Sequence, residues 1–127
     1  MARPKAPELT ERELEIMHVF WDLGSQTAQQ VRDELAGRGR DLTYTTVATL
    51  VRILADKGFV RQTNDVRPFV YEPARKFEDV SRSLLNHMVS RVFGGSREKL
   101  LVSLFGRQKL TKKELAVLEE LLRGQKR

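Results

Sequence analysis

The stretch from Leu42 to Val60 reads LTYTTVATLVRILADKGFV and contains one complete helix, followed by the start of a strand. Thr43 stands where a side chain can cap the N-terminus of this helix, and Gly58 stands just after its C-terminus. Between these two residues, apolar side chains recur at helical spacing and predict one buried stripe: Val47, Leu50, Val51 and Leu54. The sequence around this helix indicates both a fold and a function.

The other face of the same helix is small and hydroxylated at its start. Thr45, Ala48 and Thr49 share that face at helical spacing, and Arg52 follows about two turns after the first of them. A solvated helix face more often carries Glu and Lys, and threonine is a poor helix former. We therefore infer that contact with a partner, rather than helix propensity, selected these residues.

The elements around this helix complete the order of a winged helix-turn-helix. Two helices precede it, each opened by a threonine capping box and ended by a glycine: Thr10 with Glu13 and Gly24, then Thr27 with Gln30 and Gly37. A hairpin follows, with strands predicted over Phe59–Thr63 and Phe69–Glu72, and Pro68 favours an edge position for the second strand. Residues 1–76 are thus predicted to form a winged-helix DNA-binding domain.

From Phe77 onward the pattern is helical, with breaks at Gly94-Gly95 and at Gly106. The apolar stripes of these helices have too few partners within one chain, so we expect two copies to cover them. The predicted dimer interface consists of Val80, Leu84, Leu85, Met88, Val92, Leu100, Leu101, Leu104, Leu118, Leu121 and Leu122. Residues 77–127 are predicted to form a helical dimerisation domain. The predicted fold class is mostly α: a winged helix-turn-helix (three helices plus a β-hairpin wing) with a C-terminal helical dimerisation region.

The composition is that of a small globular protein: of 127 residues, 40% are hydrophobic and 31% are charged. There is no cysteine, which excludes disulfides and thiolate metal sites, and the two histidines, His18 and His87, are interpreted as packing or surface residues. No apolar stretch approaches the roughly 20 residues of a membrane span, and no signal segment is visible. We expect a cytoplasmic protein with no metal, no cofactor and no membrane contact.

The charge distribution points to an anionic partner. The formal net charge is +6, and such an excess favours nucleic acid. Residues 1–37 carry four basic and seven acidic side chains, whereas residues 38–76 carry eight basic and four acidic ones. The compact basic patch therefore coincides with the third helix and the hairpin.

These observations predict specific contacts with DNA. A major groove about 12 Å wide admits one helix, and residues near the N-terminus of that helix reach the base edges. The residues predicted to read bases are Thr45, Thr46, Thr49 and Arg52. Those predicted to contact phosphates are Thr43, Tyr44, Arg3, Lys5, Arg40, Arg61 and Arg67. Three alternatives stay open: Tyr44 packs on the second helix, Thr46 belongs to the edge of the core, and Arg52 pairs only with Asp56.

At these residues the sequence resembles the penicillinase-repressor family, of the BlaI/MecI/CopY type. The resemblance is carried by LTYTTV at 42–47 with DKGFV at 56–60, by FGGS at 93–96, and by the opening LTERELEIM at 9–17 with Trp21. It covers roughly residues 9–122. It implies a homodimeric transcriptional repressor whose winged helix binds an inverted repeat in promoter DNA and whose C-terminal helices dimerise.

Three departures from the family pattern bear on mechanism. Ile53 stands where members often carry arginine, and because the basic residue is displaced to Arg52 we expect a different DNA preference. Ser103 and Leu104 stand where antibiotic-resistance members carry the Asn-Phe bond that is cleaved during derepression. They mark the candidate cleavage region, with a regulatory protease as the candidate partner. The lack of cysteine excludes copper sensing through a Cys-x-Cys motif, so the inducing signal stays open.

Two other function classes compete with a repressor. A winged helix can serve as a protein-interaction module without a specific DNA target, since fold alone does not determine function. The threonine and arginine face and its basic surroundings argue against this alternative. An enzyme is not expected, because the sequence has no GxSxG, P-loop, HExxH or paired-carboxylate constellation.

Overall fold

The computed structural model describes residues 9–125, and the predicted fold class, a mostly helical winged helix-turn-helix with C-terminal helices, is confirmed. The elements follow one another as α1 Glu11–Leu23, β1 Gln26–Thr27, α2 Ala28–Gly37, α3 Tyr44–Asp56, β2 Val60–Gln62, β3 Val70–Pro73, α4 Phe77–Val92, α5 Arg97–Phe105 and α6 Lys112–Gln125. No helix within this range is long and apolar enough to cross a membrane.

The three helices of the winged helix begin at the threonines that the sequence predicted. The Thr10 hydroxyl accepts a hydrogen bond from the Glu13 N–H, and the Glu13 carboxylate accepts one from the Thr10 N–H. Thr27 and Gln30 form the same box at α2. Each box satisfies two backbone donors that a helix start leaves free. The sequence therefore determines locally where these helices begin.

The sheet contains a strand that the sequence did not predict. Within residues 9–125 the strand order is β1-β3-β2, with Gln26 opposite Tyr71 and Arg61 opposite Glu72, all antiparallel. β3 is therefore central, and the edge position inferred from Pro68 is wrong. Pro68 lies before the first paired residue of β3, Val70, so its missing N–H removes no ladder hydrogen bond.

One apolar core joins α1, α2, α3, the hairpin and the start of α4. Its largest fully buried side chains come from all three helices and include Phe20, Ile16, Met17, Leu35 and Leu54. The α3 stripe contributes Val47 and Val51 as predicted, and Val80 of α4 is buried in the same cluster. Because the stripe faces this core, the opposite face of α3 is left exposed to solvent.

The chain divides into two compact units, one ending at Leu84 and one beginning at Leu85. The first unit includes the start of α4, because Phe77 contacts Trp21 and Val80 belongs to the core. The boundary predicted after residue 76 lies in the loop before α4, whereas the two units divide after Leu84, within α4. In the second unit, neither α5 nor α6 has a buried residue. The assignment of the units to DNA binding and to dimerisation stays a prediction.

Candidate nucleic-acid interface

The exposed face of α3 carries the residues that were predicted to read bases. Thr45, Thr49 and Arg52 are exposed, whereas Ala48 between them is half-buried. Arg52 and Asp56 form no ion pair in the described part of the chain. The arginine is therefore available to a partner, unlike several other arginines of this protein.

Two threonines at the start of α3 hydrogen-bond to each other. The Thr43 hydroxyl accepts from the Thr46 N–H at 3.2 Å and donates to the Thr46 hydroxyl oxygen at 2.9 Å. Thr43 thus uses both its donor and one acceptor site within the cap. Thr46 is exposed and keeps its own hydroxyl proton, so it retains a donor for an external acceptor.

A cleft of about 400 Å³ brings α3 together with the β2–β3 hairpin, which is the wing. From α3, Tyr44, Ala48 and Arg52 line it; the wing and α2 supply Arg67, Pro68, Phe69, Tyr71 and Ala28. Tyr44 is 50% exposed, so half of its surface is open to solvent beside the two arginines. The α3–wing cleft therefore joins two cations and three aromatic side chains that are distant in sequence.

The two wing arginines have different surroundings. The Arg67 guanidinium lies over the Phe69 ring, 5.1 Å from its centre, which orients the charge without neutralising it. Arg61 instead donates from Nε and Nη2 to Glu72 Oε1, at 3.0 and 2.7 Å. Arg67 lines the α3–wing cleft and Arg61 does not. Of the two, Arg67 is the better placed to contact an anion beside α3.

The remaining predicted phosphate contacts are paired or lie outside the described residues. Arg40 bonds to Glu15 at 2.8 Å, and this hydrogen bond raises the pKa of the guanidinium above its ordinary value. Arg40 therefore carries a charge that an acidic neighbour already offsets. Arg3 and Lys5 lie outside residues 9–125.

An ion pair between a buried carboxylate and an exposed lysine connects α1 to the end of α3. Glu13 is only 2% exposed, and its two carboxylate oxygens accept from Lys57 Nζ at 2.9 and 3.1 Å. Burial alone raises the pKa of Glu13. The hydrogen bonds from the Thr10 N–H and from Lys57, together with the positive charge of Lys57, outweigh burial, so the pKa of Glu13 is lowered. Lys57 caps the C-terminus of α3. This pair therefore fixes the end of α3 against the start of α1.

Sequence reasoning missed several residues of the cleft and the anchor of α3. Ala28, Phe69 and Tyr71 line the cleft, yet from the sequence they were predicted only to belong to a helix and a strand. The Glu13–Lys57 pair spans 44 positions, and no local pattern reports such a contact. Glu13 was recognised only as a capping-box residue, although the lack of other buried charges in the described chain makes it exceptional.

The predicted dimer surface falls mostly on exposed residues of the second unit. Exposed there are Leu85, Val92, Leu101, Leu104, Leu121 and Leu122, and half-buried are Met88, Leu100 and Leu118. Val80 and Leu84 belong to the first unit instead: Val80 is fully buried in its core, and Leu84 packs against that core. Because Val80 offers no surface to a partner, we remove it from the proposed interface, whereas Leu84 is only half-buried and stays in the prediction.

The second unit also holds the candidate cleavage region and a groove. Ser103 and Leu104 are exposed within the last turn of α5, which ends at Phe105. A groove of about 330 Å³ is lined by Phe105, Lys113, Glu114, Val117, Leu118 and Leu121. Within residues 9–125, no group of histidines and carboxylates is arranged to hold a metal ion.

Comparisons with known proteins agree with this arrangement. A family model described as "Penicillinase repressor" matches residues 9–124. The transcriptional regulator BlaI of Mycobacterium tuberculosis is 35% identical over 100 residues, covering 77% of this chain and 72% of that protein. The methicillin resistance regulatory protein MecI of Mammaliicoccus sciuri is 24% identical over 118 residues, covering 93% and 95% respectively. The solution structure of the DNA binding domain of the repressor BlaI is similar with a TM-score of 0.51 at 30% identity, covering 61% of this chain and 93% of that chain.

Proposed function

The chain belongs to the penicillinase repressor family and is a DNA-binding transcriptional repressor, and we propose that it binds an inverted-repeat operator as a homodimer, through α3 and the wing. The observation that carries the proposal is the α3–wing cleft, which puts Arg52 and Arg67 beside the exposed threonine face. In this arrangement α3 enters the major groove, and the wing reaches the flanking backbone.

The roles of the α3 residues follow from their chemistry. Arg52 makes the bidentate contact that a guanidinium forms with the O6 and N7 atoms of guanine. Thr45 and Thr49 are short enough to let the helix backbone come close, and each offers a hydroxyl and a methyl group to a base edge. Tyr44 and Arg67 contact the phosphates that border the groove. Thr43 contributes through the helix N-terminus it caps, where free N–H groups favour an anion.

Dimerisation is supported by the apolar surface of the second unit. Leucines of α5 and α6 are exposed around the groove that Phe105, Val117 and Leu121 line. A surface of this kind is unfavourable in water and is typical of an interface between copies. A two-fold dimer places two α3 helices on half-sites about one helical turn, or a multiple of it, apart. We therefore expect a palindromic operator.

Derepression by cleavage at Ser103-Leu104 stays a prediction. The two residues are exposed, but they lie within α5 rather than in a loop. Proteolytic nicking is concentrated in exposed loops, so a regulatory protease needs local unwinding of α5 first. A protease would also have to accept Ser-Leu in place of Asn-Phe at this position.

The proposal is tested by fluorescence anisotropy with DNA from upstream of the protein's own gene, against a scrambled duplex at about 150 mM salt. We expect tight binding to the first duplex with two chains per site, and a loss of roughly 10³–10⁵ in affinity between 50 and 200 mM salt for a dimer with six to ten phosphate contacts. Equal, weak binding to the first duplex, to the scrambled one and to every sequence in a genome-wide selection would favour a protein-interaction module instead.

The role of α3 is tested by Arg52→Ala. We expect this change to cost about 1–3 kcal/mol of operator binding and to relax specificity at one base pair. Arg61→Ala is the matched control, because Arg61 is bonded to Glu72 and does not line the α3–wing cleft. If Arg52→Ala leaves the affinities for all sites unchanged, the assignment of the base-reading face is wrong.

A further inference from the structure

A second concave region of the first unit shares no lining residue with the α3–wing cleft. This aromatic groove, of about 490 Å³, lies between the C-terminal half of α1, strands β2 and β3, and the start of α4. The residues that define it are Phe20, Trp21, Phe77, Arg61, Arg75 and Lys76. Its volume is within the range of roughly 300–1,000 Å³ that small-molecule sites occupy. The proposed operator contacts make no use of it.

The wall of the aromatic groove is apolar and held in place. The rings of Trp21 and Phe77 meet edge to face, with their centres 5.2 Å apart. Trp21 Nε1 donates to the Arg75 carbonyl oxygen at 2.9 Å, which fixes the indole in one orientation. Phe77 is nevertheless 45% exposed. A rigid aromatic wall with one open ring offers a flat ligand a surface that needs no rearrangement.

The rim of the aromatic groove is positively charged. Lys76 forms no ion pair within residues 9–125, and the Arg75 guanidinium lies 5.1 Å from the centre of the Phe59 ring rather than on a carboxylate. Arg61 is the third cation, and its charge is offset by Glu72. Glu78 also lines the groove and is the only carboxylate among its lining residues. More cationic than anionic side chains line the groove, so it favours an anion over a neutral or cationic ligand.

We propose that the aromatic groove is a binding site for a small aromatic carboxylate. The ring of the ligand packs against Trp21 and Phe77, and its carboxylate contacts Lys76 and Arg75. This combination of a flat apolar wall and a few convergent charges is the usual composition of a small-molecule site. Neither feature alone suffices, because an apolar ligand gains nothing from the lysine and a simple anion gains nothing from the rings.

The binding test uses intrinsic fluorescence of the full chain, because Trp21 is its only tryptophan and forms the wall of the groove. The probe is 2-naphthoate, the uncharged comparison is 2-naphthamide, and free N-acetyltryptophanamide corrects for absorption by the probe. We expect saturable quenching by the naphthoate and at least about fivefold weaker binding of the amide. Quenching that never saturates, or equal affinities for the acid and the amide, would overturn the proposal.

The location of the site is tested by substitutions of Lys76. We expect Lys76→Gln to weaken naphthoate binding about five- to tenfold, and Lys76→Arg to retain it, since only the charge is needed. The matched control is Lys99→Gln, an exposed lysine of α5 that also forms no ion pair in the described chain. Unchanged affinity in Lys76→Gln, or an equal loss in Lys99→Gln, would place the probe elsewhere and refute the assignment. Because both lysines are exposed, the folded chain remains available for each measurement.

Discussion

The two units of the chain differ in how they cover their apolar side chains. In the first unit, α1, α2, α3 and the wing surround one core whose central residues have no contact with solvent. In the second, α5 and α6 have no buried residue, and Leu121 is 64% exposed. Both units have well-capped helices, for example at Thr27 and at Thr111. Local helix signals are therefore present throughout, whereas packing within one chain is complete only in the first unit.

This difference has an energetic consequence. An isolated helix shorter than about 12–15 residues is marginal in water, so a helix in a protein depends on burying its apolar face. Fully burying one leucine contributes about 1.5–3 kcal/mol. The first unit gains this free energy by burying its leucines within the unit. The second unit gains it only when its exposed leucines pack against another molecule. We therefore expect substitutions in the two units to affect different properties: folding in the first, and association in the second.

The largest effect is expected for Leu121→Lys in α6. A two-fold interface contains every residue twice, so two leucine contacts are lost at about 1.5–3 kcal/mol each. The dimer dissociation constant is then expected to rise by about 10²–10⁴. Sedimentation equilibrium should show a single chain of 14.6 kDa at concentrations where the unsubstituted protein is dimeric.

The control for this prediction is Glu119→Lys, which adds a lysine to the same helix outside its leucine stripe. Glu119 forms no ion pair in the described part of the chain and is exposed. We expect it to leave the dimer intact. A Leu121→Lys protein that stays as dimeric as the control would show that α6 does not form the interface, and the contrast between the units would then need another explanation.

A somewhat smaller effect is expected for Leu54→Ala in the first unit. Leu54 is fully buried, and deleting a buried leucine side chain costs about 2–5 kcal/mol of unfolding free energy. The comparison is Leu122→Ala, made with Leu54→Ala in the monomeric Leu121→Lys background. In that background, truncating the exposed Leu122 should cost about 0.5 kcal/mol or less of unfolding free energy. Urea unfolding followed by circular dichroism measures both, and equal losses would contradict the contrast in packing.

The sequence predicted those parts of the fold that local chemistry determines. Thr10, Thr27 and Thr43 cap the helices where expected, and Gly58 follows α3 with a φ of +84°, which favours glycine. The exposed threonine face of α3 was also predicted, because helical periodicity separates it from the buried stripe. These features need only residues close together in the chain.

Features that depend on distant residues could not be predicted in the same way. The two-residue strand β1 exists only because Gln26 and Thr27 pair with β3, and nothing in their own sequence indicates a strand. Arg40 and Arg61 were predicted to contact phosphates, but each pairs with a carboxylate from another part of the chain. Val80 fitted a dimer stripe by its spacing, yet it completes the core of the first unit. Composition predicts how many charges a region has and not which ones are already paired.

The smallest effect, and the most specific one, is expected for Glu13→Gln. Gln can replace Glu in a capping box, as Gln30 does at α2, so the change removes mainly the charge that faces Lys57. Loss of a charged hydrogen bond at a buried carboxylate should cost about 1–3 kcal/mol at pH 7. The matched control is Glu114→Gln in the Thr111 capping box of α6, where the carboxylate is exposed and forms no ion pair within residues 9–125.

The pH dependence separates the charge of Glu13 from its packing. Because folding lowers the pKa of this carboxyl, its ionised form stabilises the folded state above the ordinary value of 4.5, and this contribution is lost as the pH falls through the lowered value. The difference in unfolding free energy between the native chain and Glu13→Gln should therefore be largest near neutral pH and shrink in acid. Denaturant unfolding across pH measures it. If the difference in unfolding free energy is the same at every pH, Glu13 acts through its shape alone. If Glu114→Gln shows a similar pH dependence, the ion pair to Lys57 does not distinguish the two capping boxes.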